Sequence, residues 1–254
     1  MYLYGKNALS ELLRSNQVSI LKKVFLSPTS EVSARESDML RSCNVQVSVI
    51  PLKTIEQLVG KDASHQGVVV EIKDFQYTDY EEWLEKTEER IRTSVVFLDQ
   101  VQDPHNVGAI IRTAYAAGMG AIVLCQDNSA LITPAVIKVS SGSAFLIPVC
   151  VVSNLKRALQ QAKEKGFWVY GTERNGVPYP KVAFPNKTAL VLGNEGSGIR
   201  RLVRENCDEM IAIPMANSFD SLNVSVSAGI LCFEIFRQKE YPDTSEKNAG
   251  KTYG

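Results

Sequence analysis

The chain has 254 residues, with 28 Lys and Arg against 28 Asp and Glu and 2 His, for a formal net charge of zero. Hydrophobic residues at 44% and charged ones at 22% are the composition of a globular protein, which excludes a disordered chain, a collagen-like repeat and a strongly basic, indiscriminate binder of polyanions. The length allows one large domain or two small ones, either able to bury a core. The longest apolar stretch, 131 to 152, is interrupted by Lys138 and an SSGS segment, so no membrane span is expected. The opening MYLYGKNALSELL lacks a basic segment followed by an apolar one, so no secretory signal is expected either. Cys43, Cys125, Cys150, Cys207 and Cys232 are odd in number and widely spaced. That pattern suits buried, reduced thiols in the cytoplasm better than disulfides, and no metal site is expected.

In chain order, periodicity predicts a helix over 5 to 15, strands at 23 to 27 (KVFLS) and 45 to 50 (VQVSVI), a helix over 31 to 42 between them, and a third strand at 67 to 72 (GVVVEI). These form a small α/β module over 1 to 75. Residues 76 to 92 hold six carboxylates and three basic side chains, with Tyr80, Trp83, Leu84 and Ile91 at roughly helical spacing, and are expected to form a solvated, amphipathic linker helix. From 93 to 240 apolar strands at 95 to 101, 121 to 126, 146 to 152, 167 to 173, 188 to 194 and 210 to 215 alternate with helices at 106 to 118, 153 to 165, 198 to 206 and 221 to 239. Such alternation predicts a mostly parallel sheet covered on both faces, with ligands beyond the carboxyl ends of its strands. The polar residues 241 to 254 are expected to be a flexible tail.

Three segments concentrate polar residues just after strands. In LDQVQDPHNVGAIIRTAYAAG, 98 to 118, Asn106 is placed to cap a helix. Helix geometry alone does not tell which way Arg112 faces, and the lone His105 reads as a packing or hydrogen-bonding residue. LVLGNEGSGI, 190 to 199, runs a buried strand into a glycine-rich turn. Its glycines allow close backbone approach to a ligand, yet Gly193, Gly196 and Gly198 do not fit G-x-G-x-x-G and no G-K-[ST] follows. Dinucleotide-dependent dehydrogenases and P-loop kinases are thereby disfavoured. In IAIPMANSFDSLNVSVSAGI, 211 to 230, Ser221 and Asn223 precede an apolar helix and Ser221 is a candidate cap. With only His65 and His105 available as a base, a serine hydrolase triad is disfavoured.

Together, these three segments closely resemble the signature motifs of the SPOUT superfamily, specifically the TrmH/RlmB type of RNA ribose 2'-O-methyltransferases, over about 95 to 240. KVSSGSAFLIPV at 138 to 149 is similar to that family too, and YGKNALSELL with HQGV resembles the amino-terminal RNA-binding domain of its RlmB-like members. The resemblance implies an α/β fold with a carboxyl-terminal trefoil knot, S-adenosylmethionine as cofactor and an RNA substrate. It also implies a homodimer with sites near the interface. Matching the motifs residue by residue puts Asn106, Arg112, Glu195, Ser221 and Asn223 at the reacting centre, with Leu192, Gly193, Asn194, Gly198, Ile213, Met215, Ser221 and Leu222 around the cofactor. The RNA implied first is large-subunit ribosomal RNA, at a guanosine. A tRNA ribose methyltransferase, a resistance-type adenosine methyltransferase and a non-catalytic RNA-binding or assembly protein are the alternatives. Arg112, always protonated, suits a clamp on a developing alkoxide and a neighbouring phosphate better than a base, and Glu195 suits an orienting role.

The zero net charge resolves into parts. Residues 1 to 75 hold 9 basic and 8 acidic side chains, 76 to 92 hold 3 and 6, 93 to 240 hold 14 and 12, and 241 to 254 hold 2 and 2. Both sections expected to meet RNA are slightly positive. Lys22 with Lys23, and Arg200 with Arg201 and Arg204, are the candidate phosphate contacts.

Overall fold

The computed structural model describes residues 1–14, 18–217 and 221–241. The expected tail, from 242 on, lies outside the described residues.

The first module begins with β1 (Tyr2–Tyr4), α1 (Lys6–Arg14), β2 (Leu21–Leu26) and α2 (Ala34–Ser42), followed by β3 (Gln46–Val49), α3 (Leu52–Val59) and β4 (Val68–Ile72). Its sheet runs β1-β4-β2-β3, antiparallel except between β2 and β3. It therefore has four strands where three were predicted, and a helix, α3, that was not. β1 is too short to show a period of two. α2 starts at Ala34 because Ser33 and Glu36 close a capping box around its first turn.

Next comes α4 (Tyr80–Lys86), opened by the Asp79 cap and much shorter than the linker helix predicted over 76 to 92. Nor is it solvated. Tyr80, Trp83 and Leu84 are buried against the second sheet, Tyr80 Oη donates to the Ala158 carbonyl at 2.6 Å, and Trp83 Nε1 donates to the Gly120 carbonyl at 3.2 Å. Burying such side chains stabilises by about 1.5–3 kcal/mol each, which outweighs anything the helix's charged face gains in water. Ile91, assigned to the same face, lies past the end of the helix and is exposed.

The second module continues with β5 (Thr93–Asp99), α5 (Pro104–Ala116), β6 (Ala121–Cys125), α6 (Pro134–Val139) and β7 (Val149–Val152). It closes with α7 (Leu155–Glu164), β8 (Trp168–Pro178), β9 (Lys187–Gly193), α8 (Arg201–Arg204), β10 (Glu209–Ala212) and α9 (Val224–Glu240). All six strands are parallel, in the order β10-β8-β9-β5-β6-β7. Every residue of β5 is buried: Val96 and Leu98 enter one apolar core, Val95 and Phe97 the other. This two-sided burial is why the strands read as continuous apolar runs. α5 and α9 cover one face, α4 and α7 the other.

The chain steps outward from β5 to β6 and β7, then crosses to β8, and β9 returns to lie against β5. Asp99 and Gly193, at the carboxyl ends of β5 and β9, are in register at this switch point, where open α/β sheets bind their ligands. β8 breaks the regular pattern. Its pairing with β10 jumps from Gly171↔Met210 to Val177↔Ile211, so residues 172 to 176 bow out of the ladder.

Candidate active site

At the end of β9 the chain reverses in a turn closed by two backbone bonds, Asn194 N–H to Gly198 O at 3.1 Å and Gly198 N–H to Asn194 O at 2.8 Å. A Cβ on Gly193 would lie 2.3 Å from the Gly198 carbonyl carbon, and Gly198 has φ of +69°. One position needs the absence of a side chain and the other needs left-handed backbone. Asn194 fixes the turn from within: its Oδ1 accepts from Gly196 N–H (2.9 Å) and Ser197 N–H (3.2 Å), while its Nδ2 donates to the Gln100 carbonyl (3.0 Å).

Glu195 projects from this turn to two carboxamides. Asn106 Nδ2 donates to its Oε1 at 2.8 Å and Asn223 Nδ2 at 2.6 Å, with Val224 N–H at 3.4 Å. A further bond, Asn223 Nδ2 to Asn106 Oδ1 at 2.9 Å, closes the triangle. Each of the three motifs thus contributes one member. The caps fall elsewhere than predicted: Asp103 caps α5, leaving Asn106 inside the first turn, and Asn223, not Ser221, caps α9 through Ser225 N–H and Val226 N–H. Asn223 holds the start of α9 as its cap and Asn106 sits in the first turn of α5, so two of the three members are positioned by helix starts.

Beside the cluster lies a cavity walled by Leu192, Gly193, Asn194, Glu195 and Gly198, by Ile211, Ile213 and Met215, by Ser221, Leu222, Val224 and Ser227, and by Thr172, Glu173 and Arg174 of the β8 excursion. All eight residues assigned to the cofactor from sequence line it: Leu192, Gly193, Asn194, Gly198, Ile213, Met215, Ser221 and Leu222. Of those assigned to the reacting centre, Glu195 and Ser221 line it, while Asn106 and Asn223 hold Glu195. Arg112 is not brought in. It is exposed on α5, about 9 Å further along the helix axis than Asn106 at 1.5 Å per residue. Sequence reasoning missed Thr172, Glu173, Arg174, Ile211, Val224 and Ser227. The β8 residues carry no motif, and only the register jump against β10 brings them to the wall.

Each of the arginines after the glycine turn, expected to meet phosphate, is paired with a carboxylate in this structure. Arg200 is bound to buried Asp99, Arg201 to Glu205 at 2.8 Å, and Arg204 to Glu173 through two bonds of 2.9 and 3.0 Å. Lys23 lies over the Phe25 ring, 5.1 Å from its centroid, and Lys22 is exposed. His105, expected to be a packing or hydrogen-bonding residue, is exposed, which removes the packing alternative. Burial pushes the Cys232 thiol up to about 12, and burial with a neighbouring carboxylate does the same to Cys150 (Asp79) and Cys207 (Asp208). All three stay protonated at neutral pH and are poor nucleophiles. Cys43, expected to be buried, is exposed. Among the described residues no His, Cys, Asp and Glu group is placed to hold a metal ion, and no helix is long and apolar enough to cross a membrane.

Fold and cavity together define an α/β protein with a cavity beyond the carboxyl ends of β8, β9 and β10 of a parallel sheet. The chain belongs to the SpoU rRNA methylase family, whose model matches residues 93–233. A model described as RNA 2'-O ribose methyltransferase substrate binding matches residues 2–78. By family it is an RNA 2'-O-methyltransferase. It is 35% identical to YacO of Bacillus subtilis, a protein named for TrmH-family tRNA/rRNA methyltransferases, over 94% of this chain and 96% of that one. It is 37% identical to the 23S rRNA (guanosine-2'-O-)-methyltransferase RlmB of Pseudomonas putida, over 94% and 96%. The solved structure of an AdoMet-bound rRNA methyltransferase from Sinorhizobium meliloti superimposes with a TM-score of 0.74 at 25% identity, over 94% of this chain and 87% of that one.

Proposed function

We propose that this protein transfers a methyl group from S-adenosylmethionine to the 2'-hydroxyl of a guanosine in large-subunit ribosomal RNA, in the cytoplasm. The observation that carries this reading is the Asn106–Glu195–Asn223 cluster at the edge of the cavity. RlmB, a relative whose name states an rRNA guanosine as its target, is matched over 94% of this chain.

The cavity suits the cofactor on chemical grounds. Leu192, Ile211, Ile213, Leu222 and Val224 give an adenine apolar walls, and Gly193 and Gly198 leave backbone open to its edge. S-adenosylmethionine supplies, when bound, a methyl carbon made electrophilic by a sulfonium. The work left to the chain is alignment and charge control. Glu195, held at one oxygen by three N–H groups, is fixed beside the cavity as an orienting carboxylate. Ser221 lines the same wall. Arg112 clamps the developing alkoxide and the adjacent phosphate, and the hydroxyl proton leaves to water or another partner.

Because Arg112 stands outside its own cavity, this role goes with a homodimer. Tyr115 of α5 and Val226 and Phe233 of α9 are exposed apolar side chains on the two packed helices. On α9, Val226, Ile230 and Phe233 follow one stripe while Ala228, Leu231, Cys232 and Ile235 bury the opposite one. A second copy covering that stripe accounts for a helix apolar on two faces. A carboxyl-terminal trefoil knot is part of the same reading, and the meeting of Leu192, Gly193 and Gly198 with Ile213, Met215 and Leu222 around one cavity is compatible with it.

The test is to incubate the protein with labelled S-adenosylmethionine and total RNA from a strain lacking it, then map the methylated nucleotide. Label on a 23S guanosine ribose supports the reading. Label on tRNA or on an adenosine replaces the substrate and keeps the chemistry, and no transfer to any RNA overturns the enzyme reading.

A further inference from the structure

The cavity holds one cationic side chain among the described residues that line it, and it is Arg174. Its place there is built, not incidental. β8 leaves register with β10 over residues 172 to 176, and the excursion is tightly held: a Cβ on Gly176 would lie 2.6 Å from the Met210 carbonyl oxygen. Thr172 ties the base of the bow to β9, its hydroxyl donating to the Val191 carbonyl at 3.2 Å. Glu173 is anchored on the other side by its two bonds to Arg204 of α8. The segment carrying Arg174 is thus pinned at both of the preceding residues, and an uninterrupted ladder between β8 and β10 would have no reason to give up five residues.

Charge says what the bow is for. The ligand inferred above carries an amino-acid tail whose α-carboxylate needs a cationic partner once it leaves water. Glu195 is already held by Asn106, Asn223 and Val224, and it repels an anion. The apolar wall of Leu192, Ile211, Ile213 and Leu222 offers no charge. Among the described lining residues, Arg174 on the β8 side is the one source of a guanidinium fork.

We infer that Arg174 binds the α-carboxylate of the cofactor's amino-acid tail, making the β8 excursion a cofactor-binding element distinct from the adenosine walls. This rests on the S-adenosylmethionine reading. The experiment separates the two by using 5'-methylthioadenosine, which keeps the adenosine and the thioether and lacks the aminocarboxylate.

Wild type, Arg174→Gln and Arg174→Lys are titrated calorimetrically with S-adenosylmethionine, S-adenosylhomocysteine and 5'-methylthioadenosine. The expected result is a loss of roughly tenfold or more in affinity of Arg174→Gln for the two tailed ligands. Affinity for methylthioadenosine stays at the wild-type value, which also reports an intact fold, and Arg174→Lys falls between. Equal losses for all three ligands, or none, overturn the carboxylate assignment while leaving the cofactor reading standing. Unchanged affinity for the tailed ligands with weaker RNA binding also overturns it, and makes Arg174 a phosphate contact. A wild-type protein that binds none of the three overturns both.

Discussion

The carboxylate of Asp99, fully buried at the end of β5, accepts two bonds from Arg200: the backbone N–H at 2.8 Å to Oδ2 and Nε at 2.7 Å to Oδ1. Arg200 Nη2 also lies 3.5 Å from Cys125 Sγ, at the end of β6. One arginine thereby fastens the exit of the glycine turn to two strand ends. Asp99→Ala removes the acceptor of both bonds, and because the Arg200 side chain is partly in water the expected cost is about 2 kcal/mol. The variant is expected to unfold at lower urea and to bind S-adenosylmethionine more weakly. A wild-type urea midpoint would show that the turn is held by its own two backbone bonds.

At Glu195 charge and scaffold can be separated. One oxygen takes all three N–H groups, so the amide oxygen of Glu195→Gln keeps them, whereas Glu195→Ala leaves Asn106 and Asn223 without their acceptor. Both variants are expected to lose methyl transfer by about 100-fold or more. Only the alanine is expected to lower thermal stability. If Glu195→Gln keeps wild-type turnover, the carboxylate serves the cavity as a scaffold.

Arg112→Ala is expected to lower turnover by about 100-fold or more while calorimetric affinity for the cofactor stays unchanged, since its side chain lies outside the cofactor walls. Unimpaired methyl transfer by a cofactor-bound Arg112→Ala would remove it from the chemistry.

Lys239 gives a pH dependence with a defined sign. Its ammonium donates to the Asn186 carbonyl at 2.9 Å, to the Thr93 carbonyl at 3.3 Å and to Ser94 Oγ, below the sheet's amino ends. Burial, with Arg92 nearby, brings its pKa down from 10.5 to about 8. Between those values the unfolded chain holds a proton that the folded chain has released, so stability is gained as pH rises through the window. Urea midpoints measured from pH 7 to 10 are expected to rise for wild type relative to Lys239→Met. Parallel curves would place the lysine's pKa at its ordinary value.

The apolar strands were legible because the centres of β5, β6 and β9 (VVFL, AIVLC and ALVL) are buried on both faces and uninterrupted by polar residues. α6 was hidden inside an apolar stretch, although Thr133 and Pro134 at its start are the cap and first-turn residues a helix needs. α4 was misjudged because its acidic face dominates its composition, while the three side chains that decide its position are Tyr80, Trp83 and Leu84. At the site, residues 106, 195 and 223 are 117 positions apart at the extremes, yet motif matching put them in one place. Arg174 could not be found that way. What brings it to the cavity is a mismatch in register between two strands, which only the paired backbone reveals.

The apolar core beneath α5 and α9 does not stop at residue 93. It runs on through Leu98, Ile137 and Ala144 into Leu3, Leu9, Val24 and Ile72 of the first module, and Lys138 of α6 lies over the Tyr4 ring, 5.1 Å from its centroid. A substrate-binding module fused this way is not an arm that searches. On the function proposed above, it is expected to hold its RNA at a set distance and angle from the cavity, so that the pair acts as a caliper. The nucleotide modified is then expected to be the one that stands at that distance, in three dimensions, from the feature gripped at the other jaw. An RNA whose gripped feature and target are moved apart by one helical turn would present the wrong ribose, however well its sequence matched.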